Sequence, residues 1–219
     1  MAENKFYHEI ILRGKDYIQK LQGRITVCGA GALGSNLVDS LIRQGFNSIR
    51  VIDMDRIETH NIGTQIWSMR DIGRMKTAAL VDKVYCASEA EIDAVDKELT
   101  SANAKKYLKD SVLVVDCFDN QQSRKLVQDY CRANRIPLIH GGLFADFGQV
   151  TYDEFYKVPS DQVEGDVCDY PLARNIILLT VVVMAEEILD FFLSSKPRKK
   201  NWTITLKDLR INELKLLPT

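Results

Sequence analysis

The stretch Ile25–Gly34, ITVCGAGALG, followed by VIDMD at Val51–Asp55, constrains this chain more than any other feature. It reads as a short buried strand that runs into Gly29-Ala30-Gly31-Ala32-Leu33-Gly34. Gly29 allows a tight turn, Gly31 lets a phosphate approach the backbone, and Gly34 lets the next helix pack close. That helix, from about Ala32 to Gln44, offers free N–H groups and a positive dipole end to an anion. Asp53 follows Gly34 by 19 residues, at the end of a second strand. A carboxylate there can bind ribose hydroxyls. The pattern implies a site for an adenine nucleotide. The other reading is a doubly wound domain without that ligand.

The 219 residues suit one large domain, and 46% hydrophobic residues supply a sizeable core. A net charge of −1 gives no general attraction to nucleic acid or to a membrane surface. The opening MAENKFYHEI carries charges and no long apolar core, so it does not read as a secretion signal. The apolar run Ile176–Ala185 is too short to span a bilayer and meets Glu186 and Glu187. A cytoplasmic protein is expected. Five cysteines (28, 86, 117, 131 and 168) are odd in number and widely spaced, which does not suggest a disulfide framework. No CxxC occurs, and His8, His60 and His140 lie far apart, so no zinc is expected.

Strand–helix alternation organises the chain. Strands are expected at Arg24–Cys28, Ser48–Asp53, Glu91–Asp96, Val112–Asp116 and Pro137–His140. Helices are expected at Ala32–Gln44, Met75–Cys86, Ser101–Lys109 and Gln121–Asn134. This is the grammar of an α/β, Rossmann-like, doubly wound and mostly parallel sheet. After Gly141-Gly142 the pattern changes. Gly148–Tyr152 reads as a strand turning back antiparallel, Lys157–Tyr170 as a loop, and Pro171–Leu193 as a long apolar helix. Trp202–Leu206 and Ile211–Leu216 read as a closing hairpin, so the C-terminal strands are antiparallel. Residues 1–23 read as an amphipathic helical arm with Phe6, Ile10, Ile11, Tyr17 and Leu21 roughly on one face. It packs on its own domain or reaches a second subunit. The basic cluster Lys196-Pro197-Arg198-Lys199-Lys200 reads as a solvated loop.

Five features gather near the carboxyl ends of the strands, where open α/β sheets bind ligands. They are the glycine loop, Asp53-Met54-Asp55, Asn61-Ile62-Gly63-Thr64-Gln65, Lys76 at a helix start, and Asp116-Cys117-Phe118-Asp119-Asn120 past an apolar strand. Lys76 is a long, mobile cation suited to phosphate. Asp119 at a strand end can hold Mg²⁺, which bridges phosphate oxygens. Asn61 and Gln65 can donate to a phosphate or a carboxylate. Singly, each has a bland reading: Lys76 a surface lysine, Asp55 a turn residue, Asp119 a cap for the helix starting near Gln121. Their joint order favours ATP chemistry.

The set GAGALGS, VIDMDRIETHN, GRMKTAAL, VDCFDN and PLIHGG resembles the ThiF/MoeB family, the adenylation domain of ubiquitin-activating enzymes, over roughly Lys5–Leu193. The resemblance implies a single adenylation domain over residues 1–219, with residues 157–170 as a crossover loop. It implies ATP-dependent adenylation of the C-terminal glycine carboxylate of a ubiquitin-like or sulfur-carrier protein, and pairing as a homodimer. By position, Gly29, Gly31 and Gly34 form the nucleotide loop and Asp53 binds ribose. Asn61 and Lys76 contact phosphates, with Asp55 and Gln65 beside them, and Asp119 binds the catalytic Mg²⁺.

Two arginines usual in the family are absent. His8 stands at the second arginine of the N-terminal arm, which reaches the partner subunit's ATP, and Thr64 stands at the other. Arg70 and Arg74 are close enough in sequence to substitute. The zinc-binding CxxC pairs of many bacterial members are also absent. Cys168 sits where thioester-forming members often place a nucleophile, with Asp166 and Asp169 beside it to raise its pKa. The alternatives are an incidental loop cysteine and, for the chain, a non-catalytic regulatory or heterodimer subunit. A nicotinamide-dependent oxidoreductase or a tRNA-modifying relative ranks lower.

Overall fold

A computed structural model describes residues 4–159, 171–194, 196 and 199–214. Two short helices open it, α1 (Tyr7–Arg13) and α2 (Tyr17–Lys20). The alternation then runs β1 (Arg24–Cys28), α3 (Ala32–Arg43), β2 (Ile49–Ile52), α4 (Lys76–Ser88), β3 (Asp93–Val95), α5 (Ala104–Leu108), β4 (Ser111–Asp116), α6 (Gln121–Asn134) and β5 (Leu138–Phe144). It closes with β6 (Phe147–Tyr152), α7 (Arg174–Leu193), β7 (Asn201–Thr205) and β8 (Arg210–Glu213). One eight-stranded sheet, ordered β3-β2-β1-β4-β5-β6-β7-β8, takes in every described strand. β1 to β5 pair in parallel, and β6, β7 and β8 add on antiparallel. The expected α/β, doubly wound sheet with antiparallel C-terminal strands is therefore the observed one.

The near-continuous apolar strands follow from burial on both faces. Ile25, Val27, Leu113 and Val115 join the layer packed on α3, α4 and α7, with Leu37, Leu80 and Met184. Cys28, Val114 and Leu138 join the layer under α5 and α6, with Leu108 and Val127. The strand order reverses between β1 and β4, which opens a crevice beyond their carboxyl ends. Register sets the floor of that crevice: Cys28 lies opposite Ile52 and Asp116, and Asp116 opposite His140.

Several elements differ from the sequence expectation: α7 begins at Arg174 rather than Pro171, α5 shortens to Ala104–Leu108 and β3 to Asp93–Val95, and the N-terminal arm and β5 depart further. The N-terminal arm is not one helix with one apolar face. Gly14, at φ +110°, ends α1, and the chain resumes as α2 on a new axis. Tyr17 and Leu21 then enter the core, whereas Ile11 is 69% exposed. Arg13 on α1 bonds Glu186 on α7, so the arm lies on its own chain. β5 does not stop at His140 but runs through Gly141-Gly142 to Phe144, because β6 pairs with it along that length. Most of the apolar surface of α7 is spent inside this fold, with Leu178 and Val182 left exposed. No described helix is long and apolar enough to cross a membrane.

Candidate active site

The three loop glycines are required for three different reasons. Gly29 sits at φ +97°, its N–H donates to the Ile52 carbonyl, and a Cβ there would lie 3.0 Å from the Cys117 carbonyl oxygen. A Cβ on Gly34 would lie 1.8 Å from the Gly29 carbonyl oxygen, so the first turn of α3 can close on the loop only without a side chain. A Cβ on Gly31 would meet nothing within 4 Å. The space a phosphate needs is thus open at Gly31, beside the N-terminus of α3.

Asp53, one residue past β2, folds back onto this loop. Its carboxylate accepts the Ala30 N–H at 2.6 Å and the Asp55 N–H at 2.8 Å. Burial raises its pKa, against the opposing pull of Lys76 and those two N–H donors. Lys76 opens α4 and is buried, its Nζ 2.8 Å from the Asp55 carboxylate. Burial works against its charge, but Asp53, Asp55 and Asp119 together raise its pKa and hold it as an ammonium. The side chain of Asp55 is 55% exposed, so this ion pair faces the crevice. The structure therefore brings Asp53, Asp55, Lys76 and Asp119 together around one cation.

Asp119 does not cap α6. That task falls to Asn120, whose side chain accepts the Ser123 N–H at 2.9 Å. Asp119 is exposed, with a 3.4 Å contact from Asn120 as its hydrogen bond. Among the described residues no group of three or more His, Cys, Asp or Glu is arranged to hold a metal alone. An Mg²⁺ here would share its shell with phosphate oxygens and water, as that ion usually does. Asn61 and Gln65 are partly committed. The Asn61 side-chain Oδ1 accepts the Glu58 N–H in a capping box of the 3₁₀ turn Thr59–Gly63, and Gln65 Oε1 accepts the Trp67 indole N–H.

The two positions lacking arginine find no simple substitute. Arg74 is tied to Asp71 and Asp82, while Arg70 is exposed. His8 lies on α1, edge-on to Tyr7. A cation that sequence reading misses is Arg174, at the start of α7, whose guanidinium reaches the Gln65 carbonyl at 3.5 Å. It was concealed by its place at the head of an apolar run; only the packing of α7 on α3 brings it beside residue 65. The buried thiols are poor nucleophiles. Burial, with Asp116 adding to it, pushes Cys28 and Cys117 up, and burial with Asp153 and Asp116 pushes Cys131 up to about 12. Cys168 and the loop around it lie outside the described residues.

Comparison with known proteins supports the family and the fold. The sequence pattern of the ThiF family matches residues 7–216. A sulfur carrier protein adenylyltransferase of Thermus thermophilus is 29% identical over 154 residues, 67% of this chain and 56% of the relative. A tRNA threonylcarbamoyladenosine dehydratase of Haemophilus influenzae is 32% identical over 121 residues, 54% of this chain and 46% of the relative. The chain thus spans about half the length of these curated relatives. Among solved structures, Escherichia coli MccB with ATP shares the fold, with a TM-score of 0.81 and 16% identity over 97% of this chain and 71% of that one.

Proposed function

The chain belongs to the ThiF family, and from that premise we propose that it adenylates the C-terminal glycine carboxylate of a ubiquitin-like or sulfur-carrier protein, using ATP and Mg²⁺. The observation that carries this reading is the grouping of Asp53, Asp55, Asp119 and the buried Lys76 at the mouth of the open space beside Gly31. Two relatives bear on it: one is named as an adenylyltransferase of a sulfur carrier protein, and the MccB neighbour was solved with ATP.

In this reading Asp53 holds the ribose, and the Gly31 backbone and α3 N-terminus receive phosphate oxygens. Lys76 exchanges Asp55 for the phosphates and carries its positive charge to them. Asn61 and Gln65 complete the polar wall. Asp119 holds Mg²⁺, which would neutralise charge on the departing pyrophosphate. The carrier's carboxylate attacks the α-phosphorus, the bond to the pyrophosphate oxygen breaks, and an acyl-adenylate remains. No side chain need move a proton; the protein's contribution is position and charge.

We further read Cys168 as the acceptor of the activated carrier, its thiolate attacking the acyl-adenylate carbonyl to form a thioester as the acyl–phosphate bond breaks and AMP leaves, and the working form as a homodimer, with Leu178 and Val182 of α7 available to its interface. The decisive experiment is ATP–pyrophosphate exchange with purified carrier candidates, followed by non-reducing electrophoresis. Exchange that needs both carrier and Mg²⁺ supports adenylation. A thiol-sensitive adduct lost in Cys168→Ala while exchange survives supports the thioester. Absent exchange with intact ATP-analogue binding favours the second reading, a non-catalytic partner subunit, for which Thr64 and His8 at the family's arginine positions are the specific observation.

A further inference from the structure

A second charged cluster lies behind the site, its centre buried and its outer edge at Arg132 exposed. His140 on β5 is 1% exposed and sits between two carboxylates. Its Nδ1 is 2.9 Å from Asp116 Oδ2, and its Nε2 is 3.2 Å from Asp153 Oδ1. Tyr156 stacks on the imidazole, with ring centroids 3.7 Å apart. Arg124 donates to the Tyr156 hydroxyl at 2.8 Å and the Gly141 carbonyl at 3.0 Å, and lies 3.6 Å from Asp116 Oδ2. Gln128 and Arg132 hold Asp153 from α6. His140, Asp153 and Tyr156 are distant in sequence from the candidate ligand residues.

Asp116 links the two clusters. It is fully buried, so its carboxylate needs every donor it has. Oδ2 takes His140; Oδ1 takes the Phe118 N–H at 3.0 Å. Phe118 immediately precedes Asp119. The Cys117 N–H donates to the Cys28 carbonyl at 2.8 Å, and the Cys117 carbonyl packs where Gly29 would carry a Cβ. The turn that presents Asp119 is therefore braced on one side by the glycine loop and on the other by Asp116. With His140 gone, the nearest remaining partner of Oδ2 is Arg124 at 3.6 Å, so the carboxylate loses the contact that fixes its orientation towards Phe118.

We propose that His140 is a positioning residue for Asp119, acting through Asp116 and the Phe118 N–H to set the metal and phosphate end of the site. This rests on the reading above, in which Asp119 holds Mg²⁺. The test is calorimetric titration of a non-hydrolysable ATP analogue at a series of Mg²⁺ concentrations, with AMP in EDTA as the metal-free control. His140→Leu, which fills the volume without a donor, should raise the half-saturating Mg²⁺ about 10-fold, which corresponds to about 1.4 kcal/mol. AMP binding without metal should stay within about twofold. His140→Asn, which restores a donor towards Asp116, should recover most of the Mg²⁺ response.

The cycle with Asp119→Asn separates positioning from general loosening. Residues acting on one contact are non-additive, so His140→Leu should add nothing to Asp119→Asn. Where His140→Leu does not fold, Asp116→Asn breaks the same link from its other end and should show the same raised Mg²⁺ requirement. An unchanged Mg²⁺ requirement, a parallel loss of AMP binding, or full additivity with Asp119→Asn overturns the proposal. Wild-type protein that binds no ATP analogue overturns the functional reading itself, before any variant is compared.

Discussion

The two charged clusters flank the end of β4 and share Asp116 as a border, yet they solve opposite problems. The one around Lys76 is open. Asp55 is half exposed, Asp119 is exposed, and in the proposed function Lys76 exchanges Asp55 for phosphate. The one around His140 is closed, with Asp116, His140, Arg124 and Gln128 all buried and all engaged. Buried polar groups must be satisfied within the protein, and breaking one partner is costly. The lesson is that charge placed for a ligand is left exchangeable, while charge placed for the fold is used up. The sharpest way to break that distinction is at the two glycines of the loop. Gly31→Val should abolish ATP-analogue binding, a loss beyond about 10³-fold or 4 kcal/mol, without changing the thermal midpoint, because its side chain enters open space. Gly34→Ala should instead lower the midpoint, because its Cβ meets backbone at 1.8 Å. Equal calorimetric affinity for Gly31→Val and wild type would remove the nucleotide from this loop.

Next in size is Asp119→Ala. If Asp119 belongs to the exchangeable cluster, pyrophosphate exchange should fall roughly 10²–10³-fold while analogue binding falls much less, since electrostatic contacts of this kind act mainly in the transition state. Exchange near the wild-type rate would make Asp119 an ordinary exposed carboxylate.

The open cluster was largely legible in sequence and the closed one was not. Glycine spacing, an acid at the right distance and a helix-opening lysine are local patterns, and each maps to a strand end or a helix start once the alternation is read. The helix Gln121–Asn134 has the bounds read from the sequence, but its cap is Asn120 rather than Asp119. His140 lies in the family-like PLIHGG segment, but nothing local assigned it a role. Its partners Asp116 and Asp153 stand 24 and 13 residues away, and only the β4–β5 register and the return of β6 bring them together. The same limit hid Arg174. Gly141-Gly142 misled in the other direction: a glycine pair looks like a strand end, but a Cβ at Gly141 would strike Met184 and Leu33. Its smallness serves helix packing, and the strand continues.

Arg174 sharpens the comparison at its edge. It is exposed and has the Gln65 carbonyl as a hydrogen-bond partner, so it belongs with the exchangeable charges. Arg174→Ala should raise the apparent KM for ATP by about 3–10-fold, the scale of one partly solvated contact worth up to about 1.4 kcal/mol, with kcat little changed. An unchanged KM would leave the two missing family arginines without a replacement on this chain.

The smallest effect tests the closed cluster from its far side. Burial tends to raise the pKa of Asp153, but hydrogen bonds from His140, Arg132 and Gln128 outweigh it and bring the carboxyl down to about 2. An unfolded aspartate titrates near 3.9. A folded pKa below the unfolded one means stability that is present above about pH 4 and lost as pH falls through about 2. Asp153→Asn should therefore cost a few degrees in thermal midpoint at pH 7, on the scale of about 2–4 °C per kcal/mol for a chain this size. That gap should narrow steadily between pH 5 and pH 3, as wild type loses the contribution the variant never had. Mg²⁺-dependent analogue binding should stay within about twofold, because Asp153 bonds the side of His140 away from Asp116. A gap that is the same at pH 7 and pH 3 would mean that shape rather than charge holds Asp153. A lost Mg²⁺ response in Asp153→Asn would mean that the two clusters are one.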